Sequence, residues 1–184
     1  MKKIYAFIAN GTEETECLAV IDILKRAHLS VSLVSVHEQK TIVSSHQMTI
    51  VADETLSEAS LEDGDGFFLP GGLPGSEYLS SSSKLINALK KANEEGKLIA
   101  AICAAPGVVL GRHHLLKGRN ATCFPGFEQE MIGGNYVDEG VVQDQNIITA
   151  KGLGYALDLG LAIVAYFLGK EEALRIQKQI QYDR

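Results

Sequence analysis

Cys103 is the residue whose surroundings in this sequence most favour chemistry. It ends an apolar run, Leu98–Ile102, and small residues, a proline and a glycine follow it at once. This order predicts a buried strand that turns sharply into a helix, with the cysteine at the turn. Such a turn exposes one side chain beside free backbone N–H groups and the positive end of a helix dipole. These groups favour the thiolate, the nucleophilic form of cysteine, although a free cysteine packed as a small apolar side chain is the alternative.

The number and spacing of the cysteines do not indicate a metal site or a disulfide framework. Cys17, Cys103 and Cys123 are sparse, odd in number and without metal-ligand spacing, which indicates reduced thiols in a cytosolic protein and no metal site. Cys17 is interpreted as a core or interface residue and Cys123 as a core strand residue. Cys123 is also a candidate partner thiol for Cys103 if the two strand ends are neighbours.

Acidic and glycine-rich loops supply the groups that such a thiol would need. Glu13, Glu14 and Glu16 follow the first apolar run, where carboxylates stabilise a helix N-terminus through its dipole. One of them could instead hold or shuttle the thiol proton, and spacing does not choose among the three. The turn Pro70-Gly71-Gly72 could bring a backbone N–H to a reacting oxygen and form an oxyanion hole with the N–H of Ala104. A simple turn is the alternative.

The five histidines give no support for a triad. They lie at positions 28, 37, 46, 113 and 114, so none follows Thr122 and no Cys–His–acid order appears. A papain-like or glutamine amidotransferase mechanism is therefore disfavoured.

Alternating strand and helix patterns predict how these loops are positioned. Strands are predicted at Ile4–Ala9, Val31–Val36, Phe67–Leu69, Leu98–Ile102, Ala121–Phe124 and Asn146–Ala150, with a hairpin at Thr41–Ala52 turning near Ser44-Ser45-His46. Helices are predicted after Thr12 as the N-cap, over Lys84–Glu95, after Pro106, and over Gly154–Leu168 and Glu171–Gln181. The pattern is typical of an α/β fold with a mostly parallel sheet, whose ligands bind at the carboxyl ends of the strands.

Chain length and net charge limit the class of protein that the sequence can form. The 184 residues are expected to form one domain, residues 1–184. A net charge of −6 argues against a sequence-specific nucleic-acid surface as the main role. The sequence has no 18-residue apolar run, and its short apolar N-terminus is followed by acids, so neither a membrane span nor a signal peptide is expected.

Three motifs together resemble the ThiJ/PfpI superfamily, and within it the branch of the Parkinsonism-associated deglycase and its bacterial relatives. They are Gly11-Thr12-Glu13-Glu14-Thr15-Glu16, Leu69-Pro70-Gly71-Gly72 and Ala100-Ala101-Ile102-Cys103-Ala104-Ala105-Pro106. The resemblance covers essentially the whole chain. It implies a flavodoxin-like three-layer sandwich, a cytoplasmic homodimer and chemistry without a cofactor.

The resemblance also assigns site residues. Cys103 falls on the reactive, oxidation-sensitive cysteine and Glu16 on the carboxylate that hydrogen-bonds it. Gly72 and Ala104 match the backbone donors beside the thiol. Four further matches fall on pocket residues, which are Glu13, Gly71, Cys123 and Phe124. Arg26 matches a position near the dimer contact.

The chain departs from the family pattern at two places. Phe124 stands where many relatives carry a histidine, and Gly152-Leu153-Gly154 stands where members often read Gly-Pro-Gly. The departure at Phe124 therefore disfavours a mechanism assisted by that histidine.

Two functions follow from the resemblance. The first is a glyoxalase III-like lyase or deglycase hydrolase, in which the Cys103 thiolate and Glu16 act on methylglyoxal, glyoxal or their early adducts on protein or nucleotides. The second is a redox-sensing, chaperone-like stress protein that uses oxidation of Cys103.

Overall fold

A central, mostly parallel sheet organises the molecule in the computed structural model, which describes residues 1–183. Its strands and the short outlying ones are, in chain order, β1 (Lys3–Ile8), β2 (Ser30–Ser35), β3 (Thr41–Val43), β4 (Thr49–Val51), β5 (Glu54–Thr55), β6 (Gly66–Leu69), β7 (Leu98–Ile102), β8 (Asn120–Ala121), β9 (Asn135–Tyr136), β10 (Val141–Asp144) and β11 (Ile147–Ala150). The central sheet has the order β10-β11-β7-β6-β1-β2-β5, and only β10 runs antiparallel to its neighbour.

Helices cover both faces of this sheet. They are α1 (Glu14–Arg26), α2 (Gly75–Ser81), α3 (Ser83–Glu94), α4 (Ala156–Leu168) and α5 (Lys170–Gln179). The helices α1, α4 and α5 share one apolar cluster with one face of the sheet, and α2 and α3 share another with the opposite face. The predicted three-layer α/β sandwich is therefore confirmed.

The alternation within β1 shows why two cores form. Ile4 and Ile8 pack into the α1 and α4 side, whereas Tyr5 and Phe7 pack into the opposite side, and all four are buried. A strand buried on both faces must be apolar at every position, which is the pattern typical of a central parallel strand.

Most predicted elements occur close to their expected bounds. The strand before the cysteine is Leu98–Ile102, as predicted, and β3 and β4 form the predicted hairpin around Ser44-Ser45-His46. The antiparallel edge strand β10 and the helix α2 were not anticipated by the sequence patterns.

Two local predictions are wrong. Thr12 does not cap α1: its hydroxyl accepts from the Ala9 N–H, and the cap is Glu13, whose carboxylate accepts from the Glu16 N–H. The predicted strand Ala121–Phe124 is reduced to Asn120–Ala121, because the Phe124 N–H turns toward the carbonyl of Cys103, with N···O 2.8 Å.

Candidate active site

Three loops at the carboxyl ends of adjacent strands bring the predicted groups together. The chain leaves β1 toward Glu13 and Glu16, leaves β6 at Gly71, and leaves β7 at Cys103. The strands β7, β6 and β1 are neighbours in the sheet, so these loops meet at one edge. This edge is where parallel α/β sheets bind their ligands.

Cys103 lies on a strained turn. Its φ is +65°, a left-handed conformation that costs on the order of 1–3 kcal/mol for a residue other than glycine. The conformation is held on both sides, since the Cys103 N–H donates to Ala150 O at 3.0 Å and Cys103 O accepts from Phe124 N–H at 2.8 Å. The predicted sharp turn is confirmed, and a single π-helical segment, Pro106–Gly111, follows it.

Glu16 is buried against the thiol. Its carboxyl group shares a hydrogen bond with Cys103 and accepts from the backbone N–H groups of Gly71, at 3.1 Å, and Leu153. Burial, with the charge of Glu13 adding to it, outweighs these hydrogen bonds and raises the pKa of Glu16 to about 7. Glu16 can therefore accept and return a proton near neutral pH.

The two glycines of the β6 loop make room for this contact. A methyl group on Gly71 would lie 2.4 Å from Cys103 Cβ and 2.5 Å from Glu16 Oε2. Gly72 has a φ of +92°, and a methyl group there would lie 2.4 Å from both the Glu13 nitrogen and Gly11 O. Hydrogen bonding from the backbone N–H groups of Gly72 and Ala104 lowers the pKa of Cys103, as expected of donors beside a thiol.

The resting thiol is not the thiolate that the turn alone predicts. Burial, together with the charge of the Glu16 carboxylate, raises the pKa of Cys103 to about 12, against the opposing effect of the Gly72 and Ala104 donors. That charge disappears when Glu16 carries the proton. Between the two pKa values the pair holds one proton, which rests on the thiol, and the thiolate forms when that proton moves to Glu16.

The other acids of the first motif have different surroundings. Glu13 caps α1 at the edge of the site, with 15% of its side chain exposed. Glu14 is buried and accepts from Ser45 Oγ at 3.0 Å and from His46 Nδ1 at 2.8 Å. Hydrogen bonds outweigh burial and lower the pKa of Glu14 to about 2.

Glu13, Glu14 and His46 form a grouping that the sequence spacing did not reveal. Their potential ligand atoms lie within 4.8 Å of one another. The direct hydrogen bond between Glu14 and His46 joins the β3–β4 hairpin to α1.

Cys123 and Phe124 occupy different positions beside Cys103. Cys123 is buried in the α2 and α3 side of the core, while Cys103 packs against the α1 and α4 side. Both are free thiols. Phe124 is exposed, and its ring lies over Gly152.

The raised pKa of Glu16 predicts a specific dependence of stability on pH. A carboxyl group whose pKa is raised by folding stabilises the folded state fully only below its unfolded pKa, and this contribution is lost as the pH rises through about 7. We expect the free energy of unfolding of the wild type, minus that of Glu16→Gln, to fall by about 2 to 3 kcal/mol between about pH 5 and 8. Urea unfolding of both proteins checks this, and a constant difference would contradict the burial of an ionisable Glu16.

The fold and site define an α/β protein with a half-buried free cysteine on a tight turn, and comparison with known proteins identifies the family. Residues 2–166 match the DJ-1/PfpI family, so the chain belongs to that family. It is 42% identical to protein DJ-1 homolog B of Arabidopsis thaliana over 93% of this chain and 39% of that protein. It is 34% identical to protein dj-1beta of Drosophila melanogaster over 96% of this chain and 95% of that one. The chain thus spans less than half of the Arabidopsis relative.

Solved structures show the same fold. Oxidized DJ-1 of Toxoplasma gondii has a TM-score of 0.96 and 33% identity, with 100% of both chains covered. A DJ-1 superfamily protein of Salmonella typhimurium, solved as a cysteine-to-alanine mutant, has a TM-score of 0.95 and 38% identity over 100% of both chains. Among the helices that the structure describes, none has the length and apolar character needed to cross a bilayer.

Proposed function

We propose that this protein is a cofactor-independent cysteine enzyme that converts small α-oxoaldehydes such as methylglyoxal and glyoxal into hydroxy acids. The observation that carries the proposal is the position of Cys103. Its thiol lies between the carboxyl group of Glu16, whose pKa is about 7, and the N–H groups of Gly72 and Ala104. A nucleophile, a proton shuttle and two donors for an oxyanion are therefore adjacent.

The reaction balances without an external oxidant. Glu16 takes the thiol proton as the Cys103 sulfur attacks the aldehyde carbon, and the N–H groups of Gly72 and Ala104 bind the developing oxyanion. Glu16 returns its proton to that oxygen, which completes the hemithioacetal and leaves Glu16 able to act again as a base. Glu16 then moves a proton from that carbon to the neighbouring carbonyl carbon, and the hydroxyl proton of the hemithioacetal passes to the neighbouring oxygen, so the first carbon is oxidised and the second is reduced. Water cleaves the resulting thioester, which releases lactate from methylglyoxal and restores the thiol.

The deglycase form of the activity uses the same groups. Early adducts of these aldehydes on amines of protein or nucleotides release the same oxoaldehyde in equilibrium, so consumption of the free aldehyde also reverses the adducts.

We further propose that the protein acts as a cytoplasmic homodimer. The free state of Cys17, Cys103 and Cys123 supports a reducing compartment.

The test is lactate formation from methylglyoxal in amine-free and thiol-free buffer. We expect the wild type to form lactate and Glu16→Gln to lower kcat/KM by about 10²–10⁴-fold, because a neutral amide cannot shuttle protons. Glu94→Gln, on an exposed glutamate of α3, is the matched control and should retain the wild-type rate. No lactate from folded, reduced wild-type protein would overturn the proposal.

A redox-sensing role is the second candidate. The observation that favours it is the same half-buried thiol, because the N–H groups of Gly72 and Ala104 and a protonated Glu16 can all donate to the oxygens of a cysteine sulfinate. In this role, oxidation of Cys103 would change the surface that damaged proteins meet.

A further inference from the structure

Two apolar residues that are bonded to the site through their backbones have side chains with large exposed fractions. Phe124 is 47% exposed and Leu153 is 51% exposed. We refer to Phe124 and Leu153 together as the lip. Each is fixed by its backbone to one of the reacting groups, which distinguishes the lip from apolar residues scattered singly over the surface.

The Phe124 backbone is attached directly to the cysteine turn. Its N–H donates to the carbonyl oxygen of Cys103, with N···O 2.8 Å. Its ring lies against Gly152, since a methyl group there would be 3.1 Å from Phe124 Cδ2. The same methyl group would be 3.7 Å from Glu16 Oε1, so the ring and the carboxylate border the same small space.

Leu153 is the residue after Gly152 and is tied to Glu16 through its backbone. Its N–H donates to the Glu16 carboxylate, and its side chain is exposed. The charged neighbour, Lys151, turns its ammonium group to Asp138. The substituent of a bound aldehyde would therefore meet apolar carbon from Phe124 and Leu153.

We propose that the lip selects α-oxoaldehydes that carry an aromatic or bulky apolar substituent, and that Phe124 is the specificity-determining residue. This inference rests on the proposed function. A methyl substituent is too small to cover the ring of Phe124, whereas a phenyl substituent can stack on it and on Leu153. Phenylglyoxal plus water would give mandelate by the same internal transfer of hydrogen that gives lactate from methylglyoxal.

The activity test compares kcat/KM for phenylglyoxal and methylglyoxal. We expect the wild type to prefer phenylglyoxal by about tenfold or more, within the range that one apolar substituent contributes. Phe124→Ala should remove most of this preference, chiefly through KM, and Phe124→His should reduce it. Leu153→Ala should reduce it as well, while Leu174→Ala, on a similarly exposed leucine of α5, should leave it unchanged.

A binding test keeps the inference separate from the reaction itself. The products mandelate and lactate are compared for protection of Cys103 from alkylation by iodoacetamide. Better protection by mandelate, lost in Phe124→Ala, would support the lip. If neither aldehyde were consumed as well, the absence of turnover would overturn only the proposed reaction. Turnover of both aldehydes with a preference unchanged in Phe124→Ala, or equal protection by both products, would overturn the lip.

Discussion

Cys103→Ser is expected to form no measurable lactate from methylglyoxal, a loss of about 10³-fold or more in kcat/KM. The serine hydroxyl has a far higher pKa than a thiol, and Glu16, with a pKa of about 7, is too weak a base to ionise it. The thioester step is also lost, because oxygen forms a less reactive ester. Lactate measured over time with purified variants checks the expectation.

Cys123→Ala is the matched control for the loss of a thiol. Cys123 is buried in the other half of the core, so its removal should lower stability while leaving the rate per folded molecule close to that of the wild type. A Cys103→Ser protein that kept more than about a tenth of the wild-type kcat/KM would rule out the thiol as the nucleophile.

The same variants separate the two candidate functions. After mild peroxide, the redox role requires that the wild type gain oxygen atoms at Cys103 and that Cys103→Ser gain none at this position, as measured by peptide mass mapping. A wild type that oxidises at Cys103 but forms no lactate would select the redox role. Oxidation located on another cysteine would count against it.

The centre of the sheet could be predicted because its strands β6 and β7 are short and apolar throughout. Leu98–Ile102 could be predicted without tertiary information, because a short run of apolar, β-branched residues before a turn is typical of a buried central strand. The helix α2, in contrast, has the sequence Gly-Ser-Glu-Tyr-Leu-Ser-Ser, which reads as a loop. Its position depends on tertiary contact, because Gly75 packs tightly against the backbone of Thr12.

The choice among the three acids shows where reasoning from the residues stops. Glu14 and Glu16 are both buried at the start of α1, yet one meets His46 from the hairpin and the other meets Cys103. Sequence spacing places all three acids in the same turn. Which of them reaches the thiol depends on how α1 lies over the β6 loop, and only the family resemblance indicated Glu16 beforehand.

The protonation of the thiol could not be read from the turn either. The turn supplies the donors Gly72 and Ala104, which favour the thiolate, and they lower the pKa as expected. Burial and the charge of Glu16 act in the opposite direction and are larger. Both depend on long-range packing, so a local pattern gives the position of the nucleophile without its resting state.

Gly71→Ala, which adds a single methyl group, is expected to lower both the stability of the protein and the kcat of the site. The added methyl would lie 2.4 Å from Cys103 Cβ, 2.5 Å from Glu16 Oε2 and 3.0 Å from Cys103 Sγ. Neither neighbour can yield easily, because Cys103 is fixed on its strained turn and Glu16 accepts from the Gly71 N–H itself. We expect a stability loss of about 1–3 kcal/mol from overpacking. Separation of Glu16 from the thiol should lower kcat by about 10²-fold or more.

Gly154→Ala is the control that makes this prediction discriminating. It adds the same methyl group in the segment before α4, where the methyl carbon would meet open space, with no atom beyond its chain neighbours within 4 Å. Stability and lactate formation should therefore stay close to wild type. If Gly71→Ala lost stability but kept its kcat, the tight contact between Cys103 and Glu16 would be structural, and the proton would have to travel by another route. If it lost kcat and the pH dependence of stability that Glu16 gives the wild type, the contact and the shuttle would be the same feature.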